Sequence, residues 1–68
     1  MKKINAIIYT NNFRTVLNNA GFTKRGAEKN ARNFAQMWLN NDSNLKGEKL
    51  VCIILRKANG ELVATINA

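Results

Sequence analysis

The sequence predicts an α+β domain in which one broken helix, or two consecutive helices, lie on one face of a small antiparallel sheet. Apolar residues at helical spacing fill the middle of the chain, and two later apolar runs are separated by Asn59 and Gly60. From the length of 68 residues we expect the whole chain, 1–68, to form a single small domain.

Residues 3–9 predict the first strand. Ile4, Ala6 and Ile8 alternate loosely with Asn5, Ile7 and Tyr9. The β-branched content of this segment favours extended backbone. A short apolar run of this kind can also begin a helix.

Residues 11–20 predict a first helix. Thr10, Asn11 and Asn12 form a capping cluster, and helical spacing follows in Phe13, Val16, Leu17 and Ala20. Gly21 can take the left-handed position after this helix, and Thr23 can cap the next one. A single helix through Gly21 is the alternative, at some cost in helix propensity.

Residues 24–40 predict the main helix, which ends in the polar run 40–44. At about 100° per residue, one side of this helix is polar. We name that side the basic stripe: Arg25, Lys29, Arg32 and Gln36. The opposite side is an apolar seam of Ala27, Ala31, Phe34 and Trp38, where both aromatic residues are expected to be core.

The C-terminal third predicts a β-hairpin with strands at about 49–58 and 61–67. Asn59-Gly60 is the favoured pair for a two-residue type I′ turn. Such a turn pairs Leu55 with Ala64 and Ile53 with Ile66. The expected core face then consists of Val51, Ile53, Leu55, Leu62, Ala64 and Ile66. Because residues 50–55 are apolar on both faces, this strand should be central or covered on both sides, and a second copy of the chain is a candidate to close one sheet face.

Composition limits how this small core is stabilised. Cys52 is the single cysteine and there is no histidine, so an intrachain disulfide and a Cys/His zinc site are excluded. A domain of this size has a small core, and homodimerisation is the remaining way to add to its stability. No cofactor is expected.

Enzymatic chemistry finds little support in the sequence. Histidine, which titrates near neutrality without help, is absent, and the four acidic residues stand apart. The four glycines are also scattered, so no phosphate-binding loop is formed. A nuclease using Lys, Arg and Tyr9 is chemically feasible, but a non-enzymatic protein is the prediction.

The charge points instead to an anionic partner. Eleven Lys and Arg against four Asp and Glu give a net charge of +7. Lys24 and Arg25 occupy the first helical turn, where the helix dipole favours acids, and such a departure from a local rule tends to mark function. The candidate contacts are Lys24, Arg25, Lys29, Arg32 and Gln36, assisted by Arg56 and Lys57 beside the hairpin turn. The alternative is a solvated helix face with a Glu28–Arg32 pair.

Residues 17–27 loosely resemble a helix-turn-helix, with Gly21 in the turn and Phe22 after it. The layout of strand, helices and hairpin is similar to that of Cro repressors, and Gly21-Phe22-Thr23-Lys24-Arg25 is similar to the start of the second helix in HU-type histone-like proteins. Gly26 lies early in the would-be recognition helix, and the DNA-wrapping arm of HU is missing. No family is assigned.

We therefore expect a small basic nucleic-acid-binding protein, of the kind that regulates a phage or mobile element; the many Asn codons fit an AT-rich genome. The alternative is a protein-binding inhibitor, such as a phage anti-defence or host-takeover protein, that docks its basic helix on an acidic surface. No export signal or membrane-length apolar run is recognised, so the expected location is the cytoplasm, that of the host if a phage encodes the chain.

Overall fold

The structure, a computed structural model, describes residues 3–68. Its elements are β1 (Ile4–Thr10), β2 (Arg14–Gly21), α1 (Lys24–Asn41), a 3₁₀ turn (Ser43–Leu45), β3 (Leu50–Lys57) and β4 (Leu62–Asn67). The four strands form one antiparallel sheet in the order β2-β1-β3-β4. The α+β prediction is confirmed, with one helix in the described residues.

The prediction of a first helix at 11–20 is wrong, because residues 14–21 form strand β2. The supposed capping cluster is the turn of a β1–β2 hairpin, in which the Thr10 N–H donates to the Phe13 carbonyl at 2.8 Å. Thr15 and Leu17 are partly buried while Arg14 and Val16 are exposed, a period of two that is present in the burial but not in the polar and apolar letters of the sequence. Pairing with β1 satisfies the backbone of this segment and overrides its weak local preference.

The strand β2 ends in an irregularity that directs the chain into α1. Between the pairs Ile4–Gly21 and Ala6–Leu17, β2 carries two extra residues. Asn19 there has a φ of 59°, and its N–H donates to Oδ1 of Asn5 at 2.9 Å. Asparagine tolerates this left-handed conformation better than other side chains.

Gly21 is not the left-handed residue that follows a helix, as the sequence predicted, but the last residue of β2. A Cβ atom on Gly21 would lie 2.9 Å from the backbone nitrogen of Ala27. Glycine is therefore needed here for the close approach of the helix to the strand. With a strand before Gly21, the helix-turn-helix resemblance of residues 17–27 is wrong as well.

The β3–β4 hairpin has the predicted central register but not the predicted turn. Ile53 pairs with Ile66 and Leu55 with Ala64. The loop has three residues, not two: the Gly60 N–H donates to the Lys57 carbonyl at 2.9 Å, and the Lys57 N–H donates to the Glu61 carbonyl at 2.8 Å. Gly60 has a φ of 92°, whereas Asn59 lacks the positive φ that a type I′ turn requires.

Irregularities near both ends of this hairpin change which residues reach the core. A register shift between Leu55 and Arg56 makes up for the longer loop, and it leaves Leu62 exposed while Val63 packs on the core. A second shift, between Tyr9 and Thr10, leaves Val51 exposed and places Leu50 against the core. The prediction that Val51 and Leu62 belong to the core face is therefore wrong.

The core combines buried residues of α1 with buried residues of the sheet. Ala27, Ala31 and Ala35 of the helix form one buried cluster with strand residues that share a face: Ile4, Ala6, Ile8, Ala20, Ile53, Leu55 and Ile66. The alternate strand residues form what we call the open face, and none of them is buried: Asn5, Ile7, Tyr9, Arg14, Val16, Cys52, Ile54, Arg56, Leu62, Thr65 and Asn67.

A single carboxylate, that of Glu48, holds the β1–β2 turn from a distant part of the chain. Its Oε1 accepts from the Thr10 hydroxyl at 2.8 Å and from the Asn12 N–H at 2.9 Å, and its Oε2 accepts from Nδ2 of Asn12 at 2.9 Å. The hydrogen bonds from Asn12 and Thr10 favour the ionised form and hold the pKa of Glu48 below its ordinary value of 4.5.

Candidate nucleic-acid interface

The start of α1 is where the sequence predicted it. Thr23 is the N-cap: its Oγ1 accepts from the Gly26 N–H at 3.1 Å, and its carbonyl accepts from the Ala27 N–H at 2.9 Å. Lys24 and Arg25 therefore occupy the first turn, which contains no acidic residue. Two cations stand at the positive end of the helix dipole, where an anion would be stabilised.

The basic stripe lies on the exposed side of α1. Arg25, Lys29, Arg32 and Gln36 are all exposed, and the buried alanines lie on the opposite side of the helix. Phe34 and Trp38 are half-buried and pack against the core, as expected from the seam. The aromatic residues of α1 therefore add to its packing and leave the charged side as the binding candidate.

The cations of this region differ in how far they are already paired. Nε of Arg32 lies 3.5 Å from Oε2 of Glu28, the pair that the sequence suggested. Lys24, Arg25 and Lys29 form no ion pair with any of residues 3–68. An exposed i,i+4 pair is worth only about 0.3–0.5 kcal/mol, so a phosphate can compete for Arg32.

The hairpin residues Arg56 and Lys57 do not join one surface. As neighbours on β3 they lie on opposite faces: Arg56 is paired with Asn5 on the open face, and Lys57 is paired with the buried Ile4. Both also have local partners. Nη1 of Arg56 donates to the Gly60 carbonyl at 3.0 Å, and Nζ of Lys57 lies 3.2 Å from Oε2 of Glu61. Arg56 thus lies on the face of the sheet opposite to the strand residues that are buried in one cluster with the α1 alanines.

Two residues that the sequence did not select come together on the open face. Tyr9 and Arg14 are directly opposite each other in the β1–β2 pairing. They line a shallow depression of about 380 Å³ together with the turn residues Thr10, Asn11, Asn12 and Phe13. Arg14 was missed because its segment was assigned to a helix, and residues 14–17, Arg-Thr-Val-Leu, carry no polar–apolar alternation that would have marked a strand.

A second depression lies at the C-terminal end of α1. It measures about 520 Å³ and is lined by Phe34, Met37, Trp38, Asn41, Asp42 and Ser43. Met37 is 62% exposed, an unusual degree for an apolar side chain next to two half-buried aromatic rings. Apolar surface of this composition is typical of protein contacts.

The described residues contain no cluster of candidate metal ligands. No three acidic or thiol side chains among residues 3–68 converge on a point that could hold an ion. Nor does any helix in that range combine the length and apolar character needed to cross a bilayer. The arrangement can bind anions through separated cations, and it can bury apolar surface against a partner.

Comparison of the chain with protein-family models, with curated protein sequences and with solved structures finds no match.

Proposed function

We propose that this protein is a small non-enzymatic nucleic-acid-binding protein that contacts phosphates with the outer side of α1. The observation that carries the proposal is the exposed basic stripe, continued by Lys24 into a first turn without acids. The proposal takes α1 to cover one face of the sheet, so that Arg25 and Lys29 face solvent.

The electrostatics support this surface over others. The net charge of +7 favours polyanions in general, and the unpaired cations of the described chain include three within one and a half turns: Lys24, Arg25 and Lys29. The amide groups of the first turn add a positive dipole end beside them. Gln36 lies further along the same side and can hydrogen-bond a base edge. Action in the cytoplasm, of the host if a phage encodes the chain, belongs to this proposal.

A salt titration of binding tests the proposal. Labelled duplex DNA, single-stranded DNA and an RNA hairpin are titrated with protein at several salt concentrations. For duplex DNA, log K falls with log salt by about 0.9 per phosphate neutralised, so three or four contacts predict a slope of about −2.7 to −3.6.

A matched pair of double variants locates the contact. Arg25→Gln with Lys29→Gln removes two charges from the basic stripe and should reduce the steepness of the slope by about 1.8. Arg14→Gln with Arg56→Gln removes the same charge from the open face and should leave the slope near that of the wild type. Equal effects of both pairs would contradict binding through α1. No binding to any probe at low salt would contradict nucleic-acid binding altogether.

The second candidate is an inhibitor that docks the basic side of α1 on an acidic protein surface. The observation in its favour is the exposed Met37 beside the 520 Å³ depression, since methionine and aromatic residues are enriched in protein interfaces. Met37→Ser, which changes no charge, should leave binding to nucleic acid intact but weaken binding to such a protein partner. The two candidates therefore respond differently to this substitution.

A further inference from the structure

We propose that the open face of the sheet is a self-association surface, on which two copies of the chain pack sheet to sheet. This inference does not rest on nucleic-acid binding, because it concerns the side of the molecule away from α1. The apolar character of residues 50–55 suggested a second copy of the chain. In this proposal, that copy covers the open face and contacts the residues that form it.

The open face has an apolar centre and a polar edge. The register aligns Val16, Ile7, Ile54 and Thr65 in one row across the four strands. A second row consists of Arg14, Tyr9, Cys52 and Asn67, and a third contains Asn5, Arg56 and Leu62. Val16 is 49% exposed and Leu62 is 54% exposed. An apolar centre with polar residues around it is the usual anatomy of a protein–protein interface.

The area is sufficient for a weak dimer. Four strands spaced about 4.8 Å apart, with about 3.3 Å per residue along seven residues, give a face of roughly 440 Å² before side-chain relief is counted. Two such faces together bury about 900 Å². Because side chains make the surface uneven, the true area is larger and comes near the roughly 1,000 Å² that separates specific interfaces from incidental ones. Interfaces at this low end of the size range are typically weak, so association is sought at micromolar to millimolar protein.

The charges on this face do not oppose a second copy. With a two-fold axis along the strands, Ile7 of one copy lies over Ile54 of the other, while Arg14 meets Asn67 and Arg56 meets Asn5. With the axis across the strands, each residue of the apolar row meets its own counterpart and Arg56 meets Cys52. In neither arrangement does one arginine face another, so self-pairing brings no like charges together.

Sedimentation equilibrium at about 0.15 M salt, where long-range repulsion is screened, measures the association. Across about 10 μM to 1 mM protein, the mass should rise from 7.6 kDa toward twice that value. A constant monomer mass over this range would overturn the proposal.

Two further measurements locate the interface. Cys52 lies in the second row of the open face, so its alkylation by iodoacetamide should slow as the dimer forms, at least fivefold at the highest concentration. This probe uses the wild-type chain and needs no folding control. Unchanged Cys52 reactivity in a sample that sediments as a dimer would place the interface elsewhere and overturn the proposal.

A matched pair of substitutions gives the second location test. Val16→Lys changes an edge-strand residue of the open face, and Met37→Lys changes a residue of α1, each adding one charge at an exposed apolar position. Val16→Lys should weaken dimerisation at least tenfold, whereas Met37→Lys should leave it unchanged. Circular dichroism confirms that each variant is folded. The reverse result would assign self-association to the depression at the end of α1.

Discussion

The two hairpins of this sheet are built alike but are specified differently. In β3–β4 the turn is encoded where it occurs, with Gly60 at a φ of 92° and the Lys57–Glu61 backbone pair beside it. In β1–β2 the turn holds its shape through Glu48, which is 36 residues from Asn12 in the chain. A local turn can be recognised from a few letters, whereas a turn held from a distance cannot.

The two hairpins also differ in the interactions that a glutamate forms with each turn. Glu48 accepts three hydrogen bonds from Thr10 and Asn12, while Glu61 forms a surface pair with Lys57 across the turn. Surface ion pairs contribute little to stability, whereas a carboxylate that satisfies several donors fixes a local structure. The contrast predicts unequal effects of the same substitution.

The largest effect is expected at the end of β2. Gly21→Ala places a Cβ atom 2.9 Å from the Ala27 backbone nitrogen, which cannot move without shifting α1. Overpacking against the backbone should lower the free energy of unfolding by about 2 kcal/mol, which outweighs the gain of roughly 0.4–1 kcal/mol from a stiffer unfolded chain. Thermal unfolding should report a lower melting temperature by roughly 4–8 °C per kcal/mol.

Gly26→Ala is the matched control for that change. Its Cβ atom would meet the Thr23 hydroxyl at 3.1 Å, the end of a side chain that can adjust. Alanine also has the better helix propensity, so this variant should lose clearly less stability than Gly21→Ala. Equal losses would mean that the close approach of helix and strand is not what Gly21 provides.

The next effect tests the locally encoded turn. Gly60→Ala forces a residue with a Cβ atom into a φ of 92° and should cost about 1 kcal/mol in the free energy of unfolding, measured by urea denaturation. Gly60→Asn should cost less, because asparagine adopts positive φ more readily. If alanine and asparagine are equally tolerated, the turn does not depend on this conformation.

A smaller, local effect is expected at the turn held from a distance. Glu48→Gln removes the charge that Asn12 and Thr10 stabilise, so amide exchange at Asn12 and Phe13 should become faster while the β3–β4 amides change little. Glu61→Gln is the control and should change stability by only a few tenths of a kcal/mol, because its pair with Lys57 is exposed. The comparison fails if Glu61→Gln disturbs its hairpin as much as Glu48→Gln disturbs the other.

The pH dependence sharpens the same contrast. Since folding lowers the pKa of Glu48, its contribution is fully present above the ordinary value of 4.5 and is lost as the pH falls through the lower folded pKa. The stability difference between wild type and Glu48→Gln should therefore be largest near neutrality and shrink below pH 4.5. A difference that stays constant from neutral to acidic pH would contradict the role of the ionised carboxylate.

Particular residues explain why sequence reasoning succeeded for one half of the molecule. The signals for α1 lie within or next to the helix itself. They are the N-cap Thr23 and the alternation of alanines with cations, and they predict where the helix starts. The Ile53–Ile66 register follows from side-chain alternation, even though the turn between the strands has three residues instead of two. These are short-range signals. The predictions based on them remain correct even though the predicted length of the β3–β4 loop was wrong.

The segment 11–21 was misassigned because its local signal is ambiguous. Phe13, Val16, Leu17 and Ala20 fit a helical period, yet Phe13 and Val16 end up largely exposed. The candidate site inherited the same error: Arg14 was overlooked, and Arg56 was grouped with the basic stripe although it lies on the open face. Strand pairing depends on distant partners that no local pattern contains.

The sequence alone therefore determined the α+β class, the extent of α1 with its basic stripe, and the pairing of β3 with β4. Each of these depends on interactions between residues close in the chain or on the periodicity of a single element. The tertiary structure alone decided that residues 14–21 join the sheet beside β1, that Glu48 holds their turn, and that Leu50 and Val63 replace Val51 and Leu62 against the core. The physical reason is that strand pairing, bulges and long-range hydrogen bonds gain their free energy only when distant segments meet.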